Sequence, residues 1–298
     1  MNTSLNFSST AVARRPGRAV RLLSVVVVAL SLVTGIGASP AGAATYRASA
    51  ADVSATLSFQ GTYPSPQHTT LTISRAGHVL YEGPVSASLC GTYCWPTPAW
   101  GPASGNPVRV VTLRAGSPEV VLGLYSGGAH CCYIMEVFAP TSTSTYVKTE
   151  IDLGDPVAQI RTVGTSPYPV LVTADDGFAY AFTDYAASGL PIEILRFTGH
   201  GVADVTRQYP SLIRRDAASW LSAFYAQKTS HYSDSVGVIA AWAADEYLVG
   251  RAPAAQQFLR EQARAGHLRS LLDPSTSGTR FVAQLETFLV ERGYSSPH

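Results

Sequence analysis

Residues 120–138 read VVLGLYSGGAHCCYIMEVF, and this stretch determines the class of fold that the sequence predicts. Two short runs rich in β-branched and aromatic residues, 120–125 and 134–138, lie on either side of a cluster of glycine, histidine and cysteine. Runs of this length and composition are typical of β-strands. Because similar runs recur from Val53 to about Thr206, the sequence predicts an antiparallel β-rich unit.

The other predicted strands share this composition and are separated by Gly, Pro, Asp or Ser. The full set is 53–59, 71–73, 79–81, 108–113, 120–125, 134–138, 146–151, 170–173, 178–182 and 192–197. Asp175-Asp176-Gly177 is typical of a hairpin turn between two of these runs. The stretch 93–107 holds four prolines, which predicts a loop because proline cannot donate to a strand ladder.

The apolar pattern changes to helical spacing from about Pro210. Four amphipathic stretches follow, with Asp216 as a plausible N-cap of the first and Gly250 as the end of the second. Pro253 suits the first turn of the third. The predicted fold is therefore α+β, with a β-rich domain over residues 44–208 and a helical region of about four helices over residues 209–298.

The first 43 residues have the three parts of a secretory signal peptide. Four arginines precede an apolar run, 22–33, and Ala41-Gly42-Ala43 offers a cleavage site. The apolar run is shorter than the roughly 20 residues that span a bilayer. We therefore expect export by the Sec route, cleavage near Ala43, a secreted mature chain and no membrane span after cleavage.

Loss of the signal peptide removes four arginines and no acidic residue, so the formal net charge changes from +1 to −3. A mildly acidic chain is a poor ligand for a phosphate backbone, so we expect no nucleic-acid partner. Phosphate-binding glycine loops and common metal motifs are absent from the sequence, so no cofactor is predicted. The expected partner is an unknown extracellular ligand or protein.

All four cysteines, Cys90, Cys94, Cys131 and Cys132, lie in the exported part, where they are expected to be oxidised. Pairing between the two clusters is the expectation, because it closes a loop of roughly 40 residues and stabilises the fold by about 3–4 kcal/mol. The local alternative pairs Cys90 with Cys94 and Cys131 with Cys132. Two further alternatives are a redox-active pair and a metal site of His130, Cys131 and Cys132.

Residues 118–128, PEVVLGLYSGG, resemble the strand–turn core of FG-GAP or VCBS repeats, which form β-propeller blades. A second resemblance covers 169–182. The block 119–210, with its GGAHCC motif, is similar to uncharacterised secreted bacterial proteins with degenerate repeats of this kind. The resemblance implies a β-rich fold and no assigned activity. The position where such repeats bind calcium, 113–117, contains no carboxylate here, which puts calcium binding by this repeat in doubt.

The leading hypothesis for function is a non-enzymatic binding module whose contact surface is formed by the loops 90–100, 126–133 and 175–180. Its predicted contact residues are mostly aromatic and comprise Tyr93, Trp95, Trp100, Tyr125, His130, Tyr133, Phe178 and Tyr180. The alternative is an extracellular hydrolase or metal-dependent enzyme, for which the weak catalytic candidates are His130, Asp176 and Asp184. A hydrogen bond between His130 and a carboxylate inside a pocket would favour this alternative.

Overall fold

The computed structural model describes residues 42–91, 94–100, 105–142, 145–228 and 234–295. The predicted signal peptide lies outside the described residues except for its last two positions. The described part confirms the predicted α+β class, with antiparallel strands first and four helices last. Its strands form three sheets and no closed barrel.

The strands of the described part form three antiparallel sheets. The first contains β1 (Ala44–Ala50), β2 (Val53–Gln60), β3 (Gln67–Arg75) and β4 (His78–Pro84) in sequential order. The second has the order β5-β7-β8-β9, with β6 also pairing with β7, and comprises β5 (Trp95–Pro96), β6 (Val108–Val111), β7 (Glu119–Gly128), β8 (Cys131–Ser142) and β9 (Thr145–Gly154). The third contains β10 (Gln159–Arg161), β11 (Val170–Ala174), β12 (Ile192–Phe197) and β13 (Val202–Asp204), again in sequential order.

The second sheet lies between the first and the third, which explains the unbroken apolar run in β7. Along β7, Val120, Leu122 and Leu124 pack with side chains of the first sheet, such as Leu57. Val121 points to the opposite face and joins a core with residues of the third sheet. Because successive side chains of a strand point to opposite faces, a strand that is covered on both faces has a nearly continuous run of apolar residues.

Four helices follow the third sheet: α1 (Pro210–Gln227), α2 (Val236–Leu248), α3 (Ala252–Arg264) and α4 (Gly278–Glu291). Helix α1 packs through Leu212 against Val170 and Ile194 of the third sheet. Every residue of α2 from Val236 to Tyr247 is buried, so this helix is the centre of the helical core. The predicted end of α2 near Gly250 and the placement of Pro253 in the first turn of α3 are confirmed. The domain boundary near residue 208 stays a prediction.

Three local predictions are wrong. Residues 178–182 are not a strand, and Asp175-Asp176-Gly177 is not a hairpin turn, because Asp175 caps a 3₁₀ turn over Asp176–Phe178. Phe178 and Phe182 are buried in the helical core, which fixes this segment as an irregular loop. Asp216 is not an N-cap, because α1 begins six residues earlier at Pro210 and Asp216 lies inside the helix.

Candidate functional site

The GGAHCC motif forms the turn between β7 and β8. The last register pair of the two strands is Gly128 with Cys131, and His130 between them has a left-handed backbone with φ 58°. The amide of Cys132 donates to Ser126 Oγ at 2.8 Å, and the Tyr125 hydroxyl donates to the carbonyl of Gly128. These bonds tie the turn to β7, so the exposed His130 is held at a defined position.

His130 contacts a second loop that is far away in the sequence. Its imidazole stacks on the ring of Tyr185, with ring centroids 4.0 Å apart and planes 25° apart. Tyr180 packs against both rings, with centroid distances of 6.4 Å to His130 and 5.7 Å to Tyr185. Because Tyr180 is 58% exposed, this group of three rings faces solvent.

Four further aromatic rings continue from the base of the same turn. The rings of Tyr125 and Tyr133 lie 5.0 Å apart, Trp95 pairs with Tyr125 across the strands, and Tyr63 contacts Trp95 at 5.6 Å. We call these two groups together the aromatic surface. The aromatic surface consists of His130, Tyr180 and Tyr185 with Tyr63, Trp95, Tyr125 and Tyr133.

The predicted contact residues divide between this surface and other places. Trp95, Tyr125, His130, Tyr133 and Tyr180 belong to the aromatic surface. Trp100 instead lies under the guanidinium of Arg109, 5.5 Å from its ring centroid, and Phe178 is 2% exposed against Phe288 and Tyr294. Tyr93 lies outside the described residues. Tyr63 and Tyr185 were not predicted, because no local sequence pattern distinguishes either from the other tyrosines.

The expected pairing between the two cysteine clusters is wrong. The structure joins Cys90 to Cys94 and Cys131 to Cys132. The Cα atoms of Cys90 and Cys94 lie 5.3 Å apart, within the range that a disulfide spans, so a short loop suffices to bring them together. The segment 94–100 is therefore not fastened to the GGAHCC turn by sulfur, and hydrogen bonds such as that from Thr97 N to Gly123 O hold it to β7.

The three weak catalytic candidates do not form a common site. Within the described residues, His130 has no hydrogen bond to a carboxylate. Asp176 accepts a hydrogen bond from the amide of Asp155 at 3.1 Å, and Asp184 caps a 3₁₀ turn by accepting from Ala187 N at 2.9 Å. Burial raises the pKa of Asp176, and the charge of Asp155 adds to this effect. Both aspartates therefore have local structural roles.

No group of three or more His, Cys, Asp or Glu side chains within the described ranges is arranged to hold a metal ion. In the structure the sulfurs of Cys131 and Cys132 are bonded to each other, so they are not thiolate ligands in this state. None of the described helices is long and apolar enough to cross a bilayer.

A comparison with known proteins gives one distant relative. Over 141 residues the chain is 29% identical to a probable thylakoid lumen protein of Synechocystis, and the match covers 45% of this chain. The chain spans about 40% of the length of that relative. No family model matches the chain, and no solved structure matches it either. These comparisons therefore do not show the resemblance to FG-GAP or VCBS repeats. They show similarity to part of a probable lumenal protein.

Proposed function

We propose that this chain is an exported, disulfide-containing binding protein without enzymatic activity, and that the aromatic surface is its contact site. Export is supported by the predicted signal peptide, by the lumenal description of the relative and by the pairing of all four cysteines. The stack of His130 on Tyr185 at 4.0 Å carries the proposal for the site, because it joins two sequence-distant loops into one exposed surface.

The ligand class follows from the chemistry of this surface. Aromatic rings that are exposed side by side offer large apolar faces at a small cost in conformational entropy, and tyrosine hydroxyl groups add hydrogen bonds at the rim. Such a surface suits the flat face of a sugar ring or an aromatic or proline side chain of a peptide. We propose a carbohydrate as the first choice, because a sugar presents both apolar C–H faces and hydroxyl groups.

We further propose that β7 and β11 derive from degenerate FG-GAP or VCBS repeats. Each of these segments forms a strand that is paired on both sides in an antiparallel sheet, as the core strand of a propeller blade would be. A repeat of this origin would explain why one chain carries two similar strand–loop units whose loops meet at His130 and Tyr180.

The proposal can be tested by isothermal titration with soluble cello-, chito- and manno-oligosaccharides and with proline-rich peptides. At least one oligosaccharide is expected to bind, and Tyr180→Ala and Tyr185→Ala should each weaken its binding by about tenfold. This corresponds to the loss of one stacked ring worth about 1.4 kcal/mol. Tyr225→Ala is the matched control, because Tyr225 is 45% exposed on α1 and outside the aromatic surface.

If only the peptides bind, and if Tyr180→Ala and Tyr185→Ala weaken that binding, the ligand of the aromatic surface is a peptide and the assignment of a sugar is wrong. The proposal fails if neither class binds, or if the Tyr225→Ala variant loses as much affinity as the variants of the aromatic surface.

A further inference from the structure

A cavity of about 360 Å³ lies between β10, β11 and α1, lined by residues outside the aromatic surface. Val172, Ile192 and Leu212 form part of an apolar wall, and Arg161 and Arg215 belong to its polar part. A volume of this size is within the range of small-molecule sites, which combine an apolar wall with a few polar groups.

Asp216 also lines this cavity, and its carboxylate is already engaged by protein groups. Its Oδ2 atom accepts from Trp220 Nε1 at 2.8 Å and from the amide of Ile192 at 3.1 Å. The carboxyl of Asp245 contacts Asp216 from the side of α2. Three neighbouring groups therefore surround the charge of Asp216.

Asp245 is fully buried, and no donor in the described ranges reaches either of its oxygens with hydrogen-bond geometry. Two carboxyl groups in contact at a buried site share one proton, because the repulsion between two adjacent negative charges prevents both groups from being ionised. Asp245 is then a neutral acid that donates to Asp216. The pair carries one negative charge, and the donors around Asp216 stabilise it.

Arg161 and Arg215 are exposed, and within the part of the chain that the structure describes neither has an ion-pair partner. A carboxylate in the same cavity would ordinarily attract them. Within the described residues Asp216 forms no ion pair with either arginine, and its Oδ2 atom is used by Trp220 and Ile192. Two guanidinium groups that line one cavity are therefore available to an anion from solution.

We propose that this cavity binds a small organic carboxylate. Arg161 and Arg215 hold the carboxylate group, and the apolar part of the ligand lies along Val172, Ile192 and Leu212. Two arginines and one shared negative charge leave a net charge of about +1 in the cavity, which matches a singly charged ligand. The site is separate from the aromatic surface, and the proposal does not depend on the function proposed for that surface.

The test is isothermal titration of the mature chain with benzoate and hexanoate. Benzyl alcohol and hexanol serve as neutral analogues, and inorganic phosphate serves as a small anion without an apolar part. Both carboxylates are expected to bind at least about tenfold more tightly than their alcohols, because only the carboxylates can pair with the arginines. Arg161→Gln and Arg215→Gln should each weaken carboxylate binding by about tenfold or more. Arg264→Gln on α3 is the matched control, because Arg264 is exposed on another helix.

Four results would overturn the proposal or the ligand class that it assigns. The first is the absence of binding by either carboxylate, and the second is equal binding of the alcohols. The third is equal loss of affinity in the Arg264→Gln variant and in the two cavity variants. Phosphate binding as tight as that of the carboxylates would overturn the assigned ligand class, because it would show that the apolar wall makes no contribution. Circular dichroism of each variant separates loss of binding from loss of folding.

Discussion

Glu136 on β8 is a fully buried carboxylate in the middle of the second sheet. Lys148 on the neighbouring strand contacts it, with Nζ 2.9 Å from Glu136 Oε1 and 2.7 Å from Glu150 Oε1. Burial raises the pKa of Glu136 to about 7, although Lys148 opposes the effect. Lys148 therefore stabilises a charge that the surroundings disfavour, and this makes the pair sensitive to substitution.

We predict that Lys148→Met destabilises the protein by about 2–3 kcal/mol at pH 8. Removal of one partner of a fully buried ion pair destabilises a protein by about 3–5 kcal/mol. The Lys148 side chain is 30% exposed, so solvent screens part of the interaction and the expected loss is smaller. Because the folded pKa of Glu136 is raised above the unfolded value, its contribution to stability is complete below the unfolded pKa and is lost as the pH rises through about 7. The loss caused by Lys148→Met should thus be smaller at pH 5, where Glu136 is protonated. Urea unfolding at both pH values measures the difference.

Glu136→Gln in the Lys148→Met background provides the control for this interaction. The double variant should recover much of the stability at pH 8, because the neutral amide does not need a cation. If the double variant is as unstable as Lys148→Met alone, then lost packing of the lysine stem explains the effect and the charge argument is wrong.

The cysteine pairing is a feature that the sequence could not determine. The chain-entropy argument favours closure of long loops, but it applies only when the native backbone brings the two sulfurs together. Here Cys90 and Cys94 already have a Cα separation that a disulfide spans. In the GGAHCC turn the adjacent residues Cys131 and Cys132 are bonded to each other. The sequence places His130 in a glycine turn between two predicted strands, whereas its partner Tyr185 depends on the path of a loop about 50 residues later.

Strand β7 is the centre of the second sheet, and Gly123 is the point where another segment packs most closely on it. The amide of Gly123 donates to Pro107 O at 2.9 Å, and its carbonyl accepts from Thr97 N at 3.0 Å. A Cβ atom at Gly123 would overlap the backbone oxygen of Thr97 and the backbone nitrogen of Ala99. The glycine therefore allows the segment 94–100 to lie directly on the strand.

We predict that Gly123→Ala destabilises the protein by at least about 3 kcal/mol, which is the upper part of the range for overpacking, because the obstructing atoms are backbone atoms and cannot rotate away. The midpoint of thermal unfolding should fall accordingly. Gly201→Ala is the matched control, since a Cβ there would have no atom within 4 Å and the backbone has no positive φ. A Gly123→Ala variant as stable as Gly201→Ala would show that the segment 94–100 can move away from β7.

The strands of the second sheet could be predicted because their burial is decided by their own sequence pattern. The segment 178–182 could not, since Phe178 and Phe182 alternate with small residues as a strand would. Their burial comes from Phe281 and Phe288 on α4, about 100 residues later, and no local pattern contains that information. Asp216 was misplaced for a similar reason, because an aspartate at a predicted helix start fits a cap equally well.

Acidic side chains are buried where the third sheet meets the helices. Burial and the charge of Asp216 raise the pKa of Asp245 to about 10. Burial and the charges of Asp175 and Asp204 raise the pKa of Glu193 to about 7. Each shift is upward, so the native chain holds more protons than the unfolded chain at neutral pH. The contribution of these groups to stability is therefore complete below about pH 4 and decreases as the pH rises.

We predict that the free energy of unfolding falls between about pH 7 and about pH 9, and that Asp245→Asn removes much of this fall. Glu193 and Glu136 are largely ionised above pH 7 in the native chain, whereas Asp245 still holds a proton that the unfolded chain has lost. One proton corresponds to at most about 1.4 kcal/mol per pH unit. The asparagine amide can donate to Asp216 at every pH. The free energy of unfolding of the variant should therefore equal that of the wild type within about 1 kcal/mol at pH 7 and exceed it at pH 9.

Asp273→Asn is the control, because the pKa of the exposed Asp273 is lowered by hydrogen bonds from Ser275, and this lowered pKa lies far below the interval between pH 7 and pH 9. Equal pH slopes in urea unfolding of the wild type and Asp245→Asn would mean that Asp245 is already ionised in the native state, and the shared proton inferred for the pair would then be wrong.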